Sequence, residues 1–178
     1  MKRILPLLLV LLLAVGLAAR AEPLPQTITR SVPLEGTNEE RTYTLVQDAQ
    51  GRFSIYIDEG FYEAVQTDAG MIIQQKGGGA TMTLTVVDGD PKKLREAAIT
   101  PEIRNDDWEE DFDGTGEGCG ATPFPGCSAV YTEGDRTRSL YWFDVGNGKV
   151  IVADYSLLPE EQEGHGVRMW DMLETLTV

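Results

Sequence analysis

The sequence has 178 residues, with 15 Lys plus Arg against 29 Asp plus Glu and a net charge of -14. Its 42% hydrophobic and 25% charged residues are typical of a folded chain, and its length suits one domain rather than two. A strongly acidic chain repels phosphate backbones and anionic lipid, so the composition disfavours nucleic-acid binding and attachment to a membrane surface.

The start of the sequence has the three-part pattern of a secretory signal peptide. Lys2 and Arg3 form a basic beginning, and residues 4–19 are a nearly pure apolar run, short for a membrane span of about 20 residues. Ala19-Arg20-Ala21 then supplies the small-x-small pattern that signal peptidase recognises. We expect cleavage after Ala21 and an exported protein, secreted or held in the cell envelope, with no membrane insertion. No cysteine lies directly after the apolar run, so a lipoprotein anchor is not expected.

The two cysteines are consistent with export. Cys119 and Cys127 flank the segment Gly-Ala-Thr-Pro-Phe-Pro-Gly, and an even cysteine count in an exported chain predicts one disulfide. The spacing is too long for a two-residue redox motif, and a single histidine leaves too few partners for zinc. Closing so short a loop contributes at most about 2.5 kcal/mol to the free energy of unfolding, so the disulfide would hold this loop and would not be the main source of stability.

β-Branched and aromatic residues, separated by Gly, Asn and Pro signals, predict a series of strands. These are Thr27–Leu34, Arg41–Val46, Phe53–Ile57, Met71–Gln75, Thr81–Val87, Ser128–Thr132, Arg138–Val145 and Lys149–Ser156. Gly146-Asn147-Gly148 predicts a tight hairpin between the last two strands. In the segment 140–145, Tyr141 and Phe143 share one face and Leu140 and Trp142 share the other. Two apolar faces predict either a central strand that is covered on both sides or a strand with one side against a ligand.

Two helices complete the prediction. Asp90 and Pro91 suit the N-cap and first turn of a helix that Pro101 would end. Met169, Met172, Leu173 and Leu176 share one face of a closing helix. Strand runs with two inserted helices predict an α+β domain with a mainly antiparallel sheet. We expect a lead-in with the first strand over residues 22–39 and a single domain over residues 40–178.

The order of these elements resembles that of PsbP-like domains. The segment Phe53–Phe61, a strand followed by an acid-Gly-aromatic turn, resembles their opening, and Glu163–Trp170 resembles their final helix. Asp58 departs from the pattern, because a proline is usual after the first strand. The resemblance implies a three-layer α/β/α sandwich and a non-catalytic accessory or binding role, and it supplies no catalytic residues.

An acidic stretch between the first helix and the cysteine loop is the one candidate for a cation site. Glu109, Asp111 and Asp113, followed by Gly114, imitate the first half of a calcium loop, in which alternate oxygens converge. Position 12 of that register is Gly120 instead of a bidentate Glu. The segment is therefore either a weak extracellular calcium site or a solvated acidic loop, and no other cofactor is expected.

The sequence contains no recognisable catalytic motif. His165 is the single histidine and is expected to be a solvated turn residue, while no serine lies in a Gly-x-Ser-x-Gly turn. We therefore expect a non-catalytic domain that contacts a protein or a small ligand, neutral or basic because of the acidic field. The alternatives are a secreted hydrolase built on carboxylates and a weak calcium-binding protein. The oligomeric state is left open.

Overall fold

A computed structural model describes residues 23–34, 36–99, 108–112 and 122–178, with the backbone alone at 34 and 108–112. The strands form one sheet of three and one sheet of seven, and all described pairings are antiparallel. None of the described helices is long and apolar enough to cross a membrane.

The small sheet is built from the N-terminal part of the described chain. Its strands, in spatial order, are β1 (Thr27–Leu34), β2 (Thr37–Gln47) and β3 (Ser54–Ile57). The expected domain boundary at residue 40 falls within β2, which pairs with β1 along its whole length.

The large sheet contains the remaining strands. They are β4 (Tyr62–Gln66), β5 (Gly70–Gln75), β6 (Thr81–Asp88), β7 (Trp108–Phe112), β8 (Gly126–Glu133), β9 (Arg136–Gly146) and β10 (Lys149–Leu157). Their spatial order is β4-β5-β6-β10-β9-β8-β7. The predicted hairpin between β9 and β10 is confirmed: Asn147 and Gly148 have φ of 55° and 69°, the positive pair that a two-residue type I′ turn requires.

Helices are few and short. The first, α1 (Pro91–Ala98), has Pro91 in its first turn, and the Asp90 carboxylate accepts a hydrogen bond from the Lys93 backbone N–H. It ends before the predicted stop, since Ile99 already has an extended backbone. The expected closing helix is divided into α2 (Pro159–Glu161), a π-helical segment (Gln162–Gly166) and α3 (Val167–Leu173).

Each face of the large sheet has its own core. On one face, α1 packs on β8 and β9, with Ile99, Cys127, Leu140, Trp142 and Val150 buried. On the other face, the small sheet and α3 complete the main core. Its largest fully buried side chains are Tyr43, Tyr62, Phe53, Phe143, Ile55, Ile57, Met71, Ile73, Met82, Leu84, Ile151 and Leu157.

The α+β class with mainly antiparallel sheets is confirmed, but the three-layer α/β/α sandwich is not. Helix content is low, and the layer on the second face contains a three-stranded sheet beside the helical segments. Two strands were not predicted. The edge strand β4 is short and half polar, and β7 lies inside the acidic stretch that was interpreted as a loop.

Candidate functional site

An open groove of about 550 Å³ lies where β1, β3 and the end of the chain meet. Its apolar surface comes from Ile28, Tyr56, Phe124 and Leu176. The exposed Val178 lines the groove. The exposed Leu24 precedes Pro25, whose carbonyl accepts a hydrogen bond from the hydroxyl of the groove residue Tyr56. An exposed apolar patch with a polar rim is typical of a contact surface.

The floor of the groove is held by pairing between the last residues and β3. The backbone of Ser54 and Thr177 exchange two hydrogen bonds of 2.8 and 2.9 Å, which adds a short antiparallel bridge to the edge of the small sheet. The Thr175 hydroxyl donates to the Met172 carbonyl at 2.6 Å and accepts from the Tyr56 N–H at 2.9 Å. These bonds fix the chain end so that the groove is preformed.

A network of charges forms the rim of the groove. Arg30 donates from Nε to the Asp171 carboxylate at 2.9 Å and from Nη2 to the Glu174 carboxylate at 2.6 Å. Burial opposes the charge of Arg30, but its pKa is nevertheless raised because Asp171 and Glu174 stabilise the guanidinium. The indole of Trp170 donates to the other oxygen of Glu174 at 3.0 Å. Arg30 is therefore neutralised, and the rim keeps an excess of negative charge.

The outer edge of β1 borders this groove and is open among the described strands. The Leu45 N–H donates to the Gln26 carbonyl, so Gln26 and Leu45 form a hydrogen-bonded pair of the antiparallel ladder. Hydrogen-bonded pairs recur at every second residue, so the backbone N–H and C=O groups of Ile28 and Arg30 also point toward β2. The backbone groups of Thr27, Thr29 and Ser31 consequently face away from β2. Pro33 occupies the next outward position, where its missing N–H costs no ladder bond. An open strand edge is a template for an added strand.

Buried polar groups lie behind the rim, between the small sheet and α3. Within the described residues, the Tyr43 hydroxyl and one carboxylate oxygen of each of Asp58 and Asp171 have no hydrogen-bond partner. Burial, followed by the hydrogen-bonding and charge interactions with the Asp171 carboxylate and the charge of Asp58, raises the pKa of Tyr43, so its phenol stays neutral. This seam is polar, unlike the apolar cores on either side of the large sheet.

His165 is not the solvated turn residue that was expected. It lies in the π-helical segment, and its Nδ1 is 2.6 Å from the hydroxyl of Tyr62 on β4. Burial, followed by the charge of Arg168, lowers the pKa of His165, although Glu161 opposes the change. Because burial raises the pKa of Tyr62, its phenol keeps the proton and is able to donate it to Nδ1 in a hydrogen bond.

The other sequence-predicted residues fall at the edge of the described chain. Cys127 is buried on β8, while Cys119 lies outside the described residues, so the disulfide stays a prediction. Glu109 and Asp111 belong to the extended strand β7, and Asp113 lies outside the described residues. No group of three His, Cys, Asp or Glu side chains that could hold a metal occurs in the described part of the chain. The calcium hypothesis is therefore still a prediction.

Two antiparallel sheets with a few short helices define an α+β domain in which strands predominate. The chain is similar in fold to the solution structure of cyanobacterial PsbP (CyanoP) from Synechocystis sp. PCC 6803, with a TM-score of 0.50 and 10% sequence identity over 76% of this chain and 92% of that chain. No protein-family model and no curated protein matches the sequence. The likeness therefore concerns the fold, which is PsbP-like.

Proposed function

We propose that the protein is an exported, non-catalytic accessory domain that binds an extended segment of a partner protein at the groove and along the outer edge of β1. The PsbP-like fold and the signal-peptide pattern support the accessory role and the location outside the cytoplasm. In this proposal the fold has three layers, which are α1, the large sheet, and the small sheet together with its helical segments.

The observation that carries the proposal is the combination of an open apolar groove with an outward-facing strand edge. An added strand gains affinity from backbone hydrogen bonds and specificity from alternate side chains placed in a neighbouring pocket. Thr27, Thr29 and Ser31 supply the outward backbone groups, and Ile28 and Phe124 supply the apolar surface. The partner segment is neutral or basic, because both the rim and the whole chain are acidic.

Replacing Thr29 with proline tests the strand-addition step. Thr29→Pro removes one outward N–H while leaving the β1–β2 ladder intact, and Thr29→Val keeps the N–H while removing the hydroxyl. A partner is first recovered from the culture supernatant and envelope fraction at low salt and purified. Its affinity should fall by about fivefold or more with Thr29→Pro, the value of about one backbone hydrogen bond, and stay unchanged with Thr29→Val.

Apolar truncations test the groove in the same binding assay. Phe124→Ser should weaken the partner's affinity, whereas Val65→Thr, which removes exposed apolar surface from β4, should not. Equal affinity for the wild-type protein, Thr29→Pro and Phe124→Ser would rule out this surface. Turnover in a broad hydrolase screen would instead support the carboxylate-hydrolase alternative.

A further inference from the structure

A second cluster lies at the opposite end of α3 from the groove and is built on Phe61. The guanidinium of Arg168 lies 4.3 Å from the centre of the Phe61 ring, and that of Arg41 lies 4.6 Å from it. Both guanidinium groups therefore lie within cation–π distance of the same ring. Arg41 is also paired with the Glu39 carboxylate, so its charge is neutralised.

Arg168 is different, because none of the described carboxylates is in contact with its guanidinium. Within the described residues it makes no ion pair, and its buried Nε has no hydrogen-bond partner. Two carboxylates lie nearby. Glu161 accepts from the Leu158 N–H at 2.8 Å and from Arg136 at 3.2 Å, and one oxygen of Asp58 accepts from the Gly60 N–H at 3.0 Å. A half-buried arginine that forms no ion pair with any described residue is unexpected in a chain of net charge -14.

Arg168 makes no hydrogen bond within the described residues, and its Nε is buried, so the two Nη groups are the donors that it can offer to a ligand. Gly164 packs against this side chain, since a Cβ at that position would lie 3.4 Å from Nη1. The imidazole of His165 stands close enough for the Arg168 charge to lower its pKa. When Tyr62 donates to Nδ1, the imidazole hydrogen lies on Nε2, which makes Nε2–H a second donor on the ring edge away from Tyr62.

We infer that Arg168 and His165 form a binding site for a single carboxylate group, separate from the groove, with Phe61 as the platform for the guanidinium. A planar carboxylate matches the arginine fork and can also accept the Nε2–H hydrogen bond. A doubly charged phosphate is disfavoured, because Asp58 and Glu161 already place negative charge around Tyr62. The carboxylate belongs either to a free small acid or to a peptide.

The test uses His165 as a reporter, since it is the single histidine of the chain. Sodium acetate is titrated into the purified protein at constant ionic strength while the imidazole signals are followed by NMR. We expect a saturable shift, and we expect sodium sulfate to bind more weakly. A shift that stays linear, or tighter binding of sulfate, would overturn the inference.

Variants assign the effect to the arginine. Arg168→Gln should weaken acetate binding by about tenfold or more, since a charge-assisted hydrogen bond is lost. Arg168→Lys keeps the charge without the planar fork and should give an intermediate loss, which also covers the case in which Arg168→Gln fails to fold. Lys149→Gln is the matched control, because this substitution also removes one positive charge. Lys149 lies far from Arg168, at the start of β10, where it pairs with Asp88. Equal loss in Lys149→Gln would contradict a specific site.

The source of the carboxylate is tested with acetyl-triglycine and its C-terminal amide. Tighter binding of the free acid than of acetate assigns the site to a peptide terminus, and equal binding assigns it to small acids. Binding of the amide as strong as that of the acid would overturn carboxylate recognition. Thr29→Pro should leave every one of these titrations unchanged, so failure of this site and failure of the groove proposal are distinguishable.

Discussion

The two faces of the large sheet are covered in different ways. On one face the cover formed by the described residues is one two-turn helix, α1, which packs over β8 and β9 around an apolar cluster that includes Trp142. On the other face the small sheet and α3 pack together, and α3 contacts β1 and β3. The second cover is therefore made of several elements that meet in seams.

The difference shows where binding surfaces can arise. A single helix seals its face by apolar packing, whereas the junctions between β1, β3 and the C-terminal elements leave the groove at one end of α3 and the Phe61 cluster at the other. The same seam buries the polar groups of Tyr43, Asp58 and Asp171. Both candidate sites consequently lie on the small-sheet side.

The largest expected effect compares neighbouring residues on opposite faces of β10. Ile151 belongs to the main core and Val150 to the α1 face, and both are fully buried. Ile151→Ala should lower the free energy of unfolding by about 2–5 kcal/mol through lost burial and a cavity. Val150→Ala removes fewer atoms and should cost about 2 kcal/mol. Urea denaturation measures both losses. A larger loss of unfolding free energy for Val150→Ala than for Ile151→Ala would contradict this expectation.

The next effect concerns two carboxylates held by arginine forks. Asp48, at the end of β2, is buried and receives Arg52 Nε at 2.7 Å and Nη2 at 2.9 Å. Asp154, on β10, is paired in the same way with Arg138 but is more exposed. Asp48→Asn should cost about 2 kcal/mol. Asp154→Asn should cost no more than about 1 kcal/mol.

The Asp48 effect should also depend on pH. The Arg52 hydrogen bonds lower the pKa of Asp48, although burial opposes this. A lowered pKa stabilises the fold above the ordinary carboxyl pKa of about 4, and this contribution is lost as the pH falls through the lower folded value. The difference between wild type and Asp48→Asn should therefore shrink in acid. A difference that grows in acid would contradict the assignment.

A test of the predicted disulfide concerns the α1 face, because Cys127 belongs to the apolar cluster beneath α1. If Cys127 is joined to Cys119, thiol labelling of the denatured, unreduced exported protein should find no free thiol. Reduction should then lower stability by at most about 2.5 kcal/mol, because the closed loop is short. Labelling of both cysteines in protein taken from the exported fraction would exclude the disulfide.

The smallest expected effect is on the titration of His165. Because burial and Arg168 lower its pKa, the NMR titration midpoint should lie below the ordinary value of about 6.5. Arg168→Gln should raise the midpoint, and Lys149→Gln should leave it in place. Since the folded imidazole resists protonation, stability should fall as the pH drops below about 6.5. A midpoint above that value would contradict the described surroundings of His165.

Strands with a clear local pattern, such as alternating faces or a turn signal at one end, could be predicted from the sequence. The alternation in β9 correctly separated Tyr141 and Phe143 from Leu140 and Trp142, and the structure places the first pair against the main core and the second on the α1 face. The turn at Asn147-Gly148 was equally clear, because Asn-Gly is a favoured pair for the two positive φ values of a type I′ hairpin. β7 was missed because acidic residues disfavour a strand unless pairing with β8 compensates.

The candidate sites could not be predicted, because they depend on contacts between distant parts of the chain. Tyr62 and His165 are separated by 103 positions, and Arg30 and Glu174 by 144. No sequence spacing signals such a pair. The one local hint was the Gly-His-Gly segment, which was interpreted as a turn and is π-helical, a form often found at functional sites.

The central claim is that the partner binds on the small-sheet side, along β1. Amide hydrogen exchange of the protein with and without the purified partner tests it directly. The account predicts added protection at the outward amides of Thr27, Thr29 and Ser31 and at the groove residues Thr175–Val178, with no change over α1 (Pro91–Ala98). Protection confined to α1, with the β1 amides unchanged, would contradict it.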